Sequence, residues 1–202
     1  MPKICISGNY PVKMIQQKLP KYLTKDQVIK FLQKAKRSKR DLALFYTIYF
    51  YGLRVQEASN LDLADLDLGR NRIAVRTVKG GVSGEYPLPR DLKNKINAYL
   101  KERKDNDFAL FTGKQGRLKV RRINQLFKYY AKKAKLGEEF SVHCLRHSIA
   151  THLLEDGQHL EYVADHLGHK NIQNTAIYAK IANKRREETF KRMETSPAIA
   201  KI

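Results

Sequence analysis

All six histidines of this chain fall between positions 143 and 169. The first three stand in SVHCLRHSIATH, residues 141–152, with Cys144 and Arg146 among them. Imidazole at this density serves either a metal or a reaction that moves protons beside an anion. Zinc fits some of the spacing: His143 and His147 are four apart, His166 and His169 three apart, and such pairs share a helix face. Three features oppose it. A zinc-protease helix has Glu after its first His, whereas Cys stands at 144. A thiolate module needs more sulfur than Cys144 supplies. Arg146 lies inside the set, with no carboxylate close behind it to offset its charge. Asp62, Asp65 and Asp67 suggest a two-metal nuclease, but aspartates at helix ends and turns more often cap and solvate. Neither GGVSGE nor GKQGR has the P-loop pattern. No metal and no cofactor is expected.

Cutting a phosphodiester without a metal sets its own requirements. A nucleophile attacks phosphorus, cations hold the non-bridging oxygens, and an acid protonates the leaving oxygen. Arginine suits the second task because it is always charged and forks onto phosphate. Lysine or histidine suits the third. A tyrosine nucleophile, with a pKa near ~10, needs its proton removed and its charge offset by the same cations. The chain holds each part: Arg54 in YGLRVQEASNL, Lys79 in RTVKGGVSGEYPL, His143 and Arg146 three apart, His169 after Gly168 in HLGHKN, and Tyr178 in NTAIYAK. Taken singly, each has a plainer role. Arg54 could pair with Glu57 at the surface, Lys79 could be one solvated lysine among many, and Tyr178 could be core in a chain with 11 tyrosines.

Charge narrows the partner. Forty Lys+Arg against 20 Asp+Glu give a net +20, and so large an excess repels itself unless an anion offsets it. Nucleic acid is the first candidate, an anionic membrane surface the second. No apolar run is long enough to span a bilayer, and the start lacks the pattern of a secretory signal. Cys5 and Cys144 make no disulfide framework, which points to the reducing cytoplasm.

The positioning elements follow from pattern. Residues 1–20, with weak periodicity and three prolines, read as an extension or interdomain linker. Thr24 with Gln27 is a capping box for a helix carrying Val28, Phe31, Leu32 and Ala35. RDLALFYTIYFY, residues 40–51, is apolar nearly all round and reads as a buried helix ended by Gly52. A short helix is expected at 54–60, strands at 72–78 and 85–88 joined in a hairpin, then helices at 89–103, 119–135, 144–156, 159–167, 171–179 and 183–194. The fold class is mainly α with one small antiparallel β-sheet, an α+β arrangement. The expected organisation is an extension at 1–20, a catalytic domain at 21–180, and a C-terminal helix and tail at 181–202.

In order, Arg, Lys, His-x-x-Arg, His and Tyr resemble the catalytic domain of tyrosine recombinases, the phage-integrase and Xer-type family. The matching boxes are LALFYTIYFYGLRVQEASNLDLADLDL, VKGGVSGEYPLP, HCLRHSIATHLLEDG and LGHKNIQNTAIYAKI, spread over residues 20–182. The resemblance implies the DNA breaking-rejoining fold and a site-specific recombinase or integrase that needs neither metal nor ATP. It implies that Tyr178 forms a 3′-phosphotyrosyl bond, that Arg54 and Arg146 clamp the phosphate, and that Lys79 protonates the leaving 5′-oxygen. His143 would assist proton transfer and His169 would hydrogen-bond the phosphate. Glu57 matches the acid that braces the first arginine, and His147 a histidine that packs inside. Other readings are an accessory DNA-binding protein that keeps the fold without recombining alone, and a topoisomerase-like relaxing enzyme.

Most members carry an N-terminal helical domain that grips the other face of DNA. Here NYPVKMIQQKLPKYLTKDQV resembles the linker to such a domain, so the chain reads as a short form, like the small fimbrial inversion recombinases, or as a fragment. Backbone binding would then rest on Lys119, Arg121, Arg122, Lys128, Lys132, Lys133 and Lys135. The expected partners are double-stranded DNA, further copies of the chain in a tetramer on synapsed DNA (a monomer or weak oligomer when free) and an accessory protein, with no membrane. Ile199 and Ile202 in the apolar tail would anchor on a neighbouring protomer.

Overall fold

The structure is a computed structural model that describes residues 19–77 and 82–194. Helix α1, Lys25–Ala35, starts at the predicted capping box: Gln27 N donates to Thr24 Oγ1 and Thr24 N to Gln27 Oε1. It lays Val28 and Phe31 on α2, Lys39–Phe50. Phe31 meets Phe45 edge to face at 5.1 Å and Phe127 at 4.9 Å. This aromatic group is the centre of the main core, where such contacts add to the gain from burial.

Gly52 ends α2 with φ +60°. Its N–H donates to Tyr49 O and that of Leu53 to Ile48 O, the bonds of a Schellman cap. A Cβ at Gly52 would sit 2.5 Å from Leu167 Cδ2, so both the backbone and its neighbour require glycine. Arg54 is the N-cap of α3, Val55–Asn60.

A 3-10 turn, Leu63–Asp65, leads into the sheet. Strands β1 (Leu66–Asp67), β2 (Arg72–Val75) and β3 (Gly84–Pro87) are antiparallel in that order, with Ile73 opposite both Leu66 and Tyr86. The hairpin expected at 72–78 and 85–88 is β2–β3. Beyond it β4 (Thr112–Gly113) pairs with β5 (Gly116–Arg117), so the described residues hold two sheets rather than one. Two-residue strands carry no alternation to read.

Helix α4, Arg90–Leu100, stops three residues before the expected end. The guanidinium of Arg103 instead ties the next loop, donating to Ala109 O at 2.7 Å and pairing with Asp105 at 2.6 Å. Helix α5, Val120–Lys133, buries Ile123, Leu126, Phe127 and Tyr130 and turns its cations to solvent. Helices α6 (His143–Glu155) and α7 (Leu160–His166) lie near their expected places. The two last helices of the sequence reading are one, α8, Gln173–Glu194. Lys180-Ile181-Ala182 contains no glycine or proline to break it. Helix α8 packs on α6 and α7 over a second, smaller apolar cluster of Ala150, Val163, Leu167, Tyr178 and Ile181. Among the described residues no helix is long and apolar enough to cross a membrane.

The aspartates weighed as metal ligands are held by arginines. Arg76 pairs with Asp62 at 3.0 Å and Asp65 at 2.7 Å, Arg117 also pairs with Asp62, and Asp67 Oδ1 accepts from Arg70 N at 2.8 Å.

Candidate active site

Two helix C-termini meet at one guanidinium. Arg146, the fourth residue of α6, is 5 % exposed, and a buried charge must be fully partnered. Its Nη1 donates to Gly52 O, just beyond α2. Its Nη2 donates to Leu167 O, the C-cap of α7, at 2.8 Å. The Leu167 carbonyl belongs to the unsatisfied, negative end of α7 and that of Gly52 to the turn that closes α2, so the fold itself cradles the cation. Burial, and then Arg54 nearby, push the Arg146 guanidinium down to about 10, while Glu57 pulls the other way. It remains charged at neutral pH.

Nη2 also lies 2.8 Å from His169 Nε2. A guanidinium only donates, so His169 Nε2 must hold a lone pair. The ring proton is then on Nδ1, which donates to Thr175 Oγ1 at 2.8 Å. Burial, and then the charges of Arg146 and Arg54, hold His169 at about 4, a neutral ring at pH 7. His169 follows Gly168, which repeats the cap seen at Gly52: φ is +64°, Gly168 N donates to Asp165 O, and His169 N to Ala164 O. A Cβ at Gly168 would lie 2.9 Å from Val82 O and 3.2 Å from Thr77 Cγ2. The β2–β3 hairpin therefore rests on the His169 turn, with Val82 N donating to Gly168 O at 3.3 Å. Lys79 itself lies outside the described residues.

Arg54 is placed by Glu57. One carboxylate oxygen accepts from Arg54 N at 2.7 Å, the other from Arg54 Nη1 at 2.8 Å. Glu57 is 3 % exposed and its Oε2 is 3.9 Å from Arg146 Nη1. Two guanidiniums thus share one carboxylate, and the excess positive charge suits an anion. His143 is exposed at the start of α6; its pKa is lowered by partial burial, then by Arg146 and Arg54.

Tyr178, from the second turn of α8, is buried, with its hydroxyl 2.9 Å from His147 Nδ1. Burial raises the phenol pKa, and Arg146 and Arg54 pull it back. The structure therefore brings Arg54, Glu57, His143, Arg146, His147, His169 and Tyr178 into one neighbourhood. The expectation that His147 only packs misses its bond to Tyr178. Sequence reading also passes over Thr175 and the carbonyls of Gly52 and Leu167. The capping glycines before Arg54 and His169 were the one available hint to those carbonyls. The cations Arg121, Arg122, Lys128, Lys132 and Lys133 on α5, and Lys119 at its N-cap, are exposed.

The buried Arg146, the half-buried Arg54, His147, His169 and Tyr178 thus form one cluster of cations, imidazoles and a phenol, and no group of three or more metal-ligating side chains occurs among the described residues. Residues 21–185 match the phage integrase family. Tyrosine recombinase XerA of Thermococcus kodakarensis is 37 % identical over 193 residues, 93 % of this chain and 67 % of that protein. Its counterpart from Pyrococcus horikoshii is 37 % identical over 189 residues, 92 % of this chain and 65 % of that one. Among solved structures, XerA recombinase superposes with a TM-score of 0.76 at 25 % identity, covering 86 % of this chain and 65 % of that chain. XerH site-specific recombinase bound to palindromic difH substrate gives 0.75 at 25 % identity, covering 90 % of this chain and 56 % of that chain. The chain belongs to the phage integrase family, and its fold is that of tyrosine recombinases. It spans about two thirds of the length of the curated relatives.

Proposed function

We propose that this protein is a site-specific DNA recombinase that breaks and rejoins double-stranded DNA through a 3′-phosphotyrosyl bond on Tyr178. The observation that carries the reading is the buried Arg146, fixed by two helix-end carbonyls and His169 beside the Arg54–Glu57 pair. A cation held this rigidly needs no reorganisation when charge develops on phosphate, which is the condition for strong transition-state stabilisation.

In this reading Arg54 and Arg146 hold the non-bridging oxygens of the scissile phosphate. The Tyr178 oxygen bonds to phosphorus as the bond to the 5′-oxygen breaks, and Lys79 gives that oxygen its proton. His143, at the exposed start of α6, assists proton transfer. His169 presents a donor to the phosphate by changing tautomer: Thr175 Oγ1 can accept from Nδ1 or donate to it, so the proton can move to Nε2 once phosphate engages Arg146. The ester keeps the energy of the broken bond, so rejoining needs no nucleotide. The cations of α5, Lys119, Arg121, Arg122, Lys128, Lys132 and Lys133, hold the DNA backbone. A tetramer on two duplexes in the cytoplasm completes the reading. The tail with Ile199 and Ile202, proposed to link protomers, lies outside the described residues.

The test is trapping on nicked duplexes carrying candidate sites. Wild type is expected to give an adduct that survives denaturant and is unaffected by EDTA, and Tyr178→Phe none, with DNA binding retained by both. Equal absence of adduct from wild type and variant, with tight binding to one site, would instead make the protein an accessory factor. Relaxation of any supercoiled plasmid regardless of sequence would make it topoisomerase-like.

A further inference from the structure

We infer that His147 is the proton acceptor for the Tyr178 nucleophile, a role separate from that of His143. This rests on the proposed function above and assigns a catalytic contact within it. The hydroxyl of Tyr178 and Nδ1 of His147 are 2.9 Å apart, with ring centroids 5.7 Å apart at an interplanar angle of 42°. The pair is partly enclosed, with Tyr178 buried and His147 half-buried. Tyr178 is 4 % exposed in the cluster with Ala150, Leu167 and Ile181. His147 sits mid-helix in α6, directly after Arg146.

Chemistry gives the direction of the bond. A tyrosine in a buried pocket is a poor nucleophile while it keeps its proton, so a base must lie within hydrogen-bond reach of that oxygen. His147 is the base in contact with it. The charged and titratable groups facing the pair are His143 and Arg146 on α6, His169 on its turn, and Arg54 across the site. The cations disfavour a second positive charge on His147. Burial, and then His143 and Arg146, hold it at about 4, so the ring is neutral and has a lone pair to offer. The same cations favour tyrosinate.

The step balances. The Tyr178 O–H bond breaks and its proton goes to His147 Nδ1. The Tyr178 oxygen bonds to phosphorus, and the P–O5′ bond breaks. The leaving oxygen receives its proton from the acid on the opposite side. The incoming phosphate brings the negative charge that makes the imidazolium tolerable, so the ring is a weak base before DNA binds and a stronger one afterwards. In the reverse step His147 returns the proton to Tyr178.

Two measurements test this. The first is single-turnover adduct formation at saturating DNA, comparing wild type, His147→Ala and His147→Asn on ordinary and 5′-bridging phosphorothiolate duplexes. Asn keeps an acceptor near the position of Nδ1 but cannot take a proton at neutral pH. A thiolate leaves without an acid, so that substrate rescues leaving-group defects only. Both variants are expected to fall on the order of 10²-fold on both substrates, with DNA binding unchanged. Full activity in His147→Asn would reduce the contact to positioning and overturn the assignment. Rescue by the phosphorothiolate would move His147 to the leaving-group side and also overturn it. The second measurement needs no turnover: the 15N shifts of the His147 ring in the free protein. The proposal requires the proton on Nε2 and the lone pair on Nδ1, and the opposite tautomer would sink it. An absent wild-type adduct defeats the proposed function and this step with it. A normal wild-type adduct with unchanged variants defeats this step alone.

Discussion

Arg146 and Lys132 carry the same charge in opposite surroundings. Arg146 is buried on α6 and spends its donors on two helix-end carbonyls and an imidazole. Lys132 is exposed in the last turn of α5, one of two lysines there. The first site is costly to build, because a desolvated cation must find every partner inside the protein. The second costs little, since water solvates the ammonium and the helix end favours it. The difference has a functional consequence. A buried, fixed cation acts at one atom and has no substitute, whereas exposed cations act through a shared field in which each can be replaced in part by its neighbours.

The sharpest way to break this distinction is Arg146→Lys. The charge is kept, yet an ammonium cannot span Gly52 O, Leu167 O and His169 Nε2 in the plane of a guanidinium. Adduct formation at saturating DNA is expected to fall by ~10²–10³, with the dissociation constant for uncleaved DNA within about threefold of wild type. A variant that keeps most of the cleavage rate would show that charge alone suffices and that the cradle is incidental.

How much of this was legible in the sequence differs between the two regions for the same reason. Arg54, His143, Arg146, His169 and Tyr178 are of the residue types that metal-free phosphodiester cleavage calls for, and their order along the chain carried the resemblance. Helix α1 was legible because Thr24 and Gln27 cap it locally, and the end of α2 because Gly52 takes a positive φ. What holds Arg146 was not legible: carbonyl groups exist at every residue, and only the fold selects those of Gly52 and Leu167, 94 and 21 positions away. The partner of His147 is 31 residues off across a helix pair, beyond any local pattern. Strands β1, β4 and β5 have two residues each, too few for a period. The basic face of α5 was legible because exposure on a helix follows directly from its 3.6-residue repeat.

Acid separates the regions next. Burial foremost, with neighbouring cations, holds His147 and His169 at about 4, against about 6.5 for an unfolded chain. Between these limits the unfolded state binds protons that the folded state refuses, so stability falls as pH drops from 6.5 towards 4 and these groups contribute no slope above or below that window. Both rings are only partly buried, so after allowance for solvent the loss over the window is about 2 kcal/mol. Helix α5, Val120–Lys133, contains no histidine, aspartate or glutamate and adds nothing to it. Thermal melts at stepped pH read the slope, and His169→Asn should flatten it. An equal slope in that variant would place the acid sensitivity outside the clamp.

The smallest expected effect is the one that defines the exposed region. In Lys132→Gln one counterion fewer is released on binding, so the slope of log K against log salt should become shallower by about 0.9, and affinity near physiological salt should fall less than about tenfold. The cleavage rate at saturating DNA should not change, since an exposed lysine on α5 touches none of the atoms that react in the proposed step. Pairing the substitution with Lys128→Gln should double the change in slope if the two act independently through the backbone field. A variant that instead lost cleavage at saturation while keeping its salt slope would place α5 in the reaction itself, and the division between fixed and shared cations would fail there.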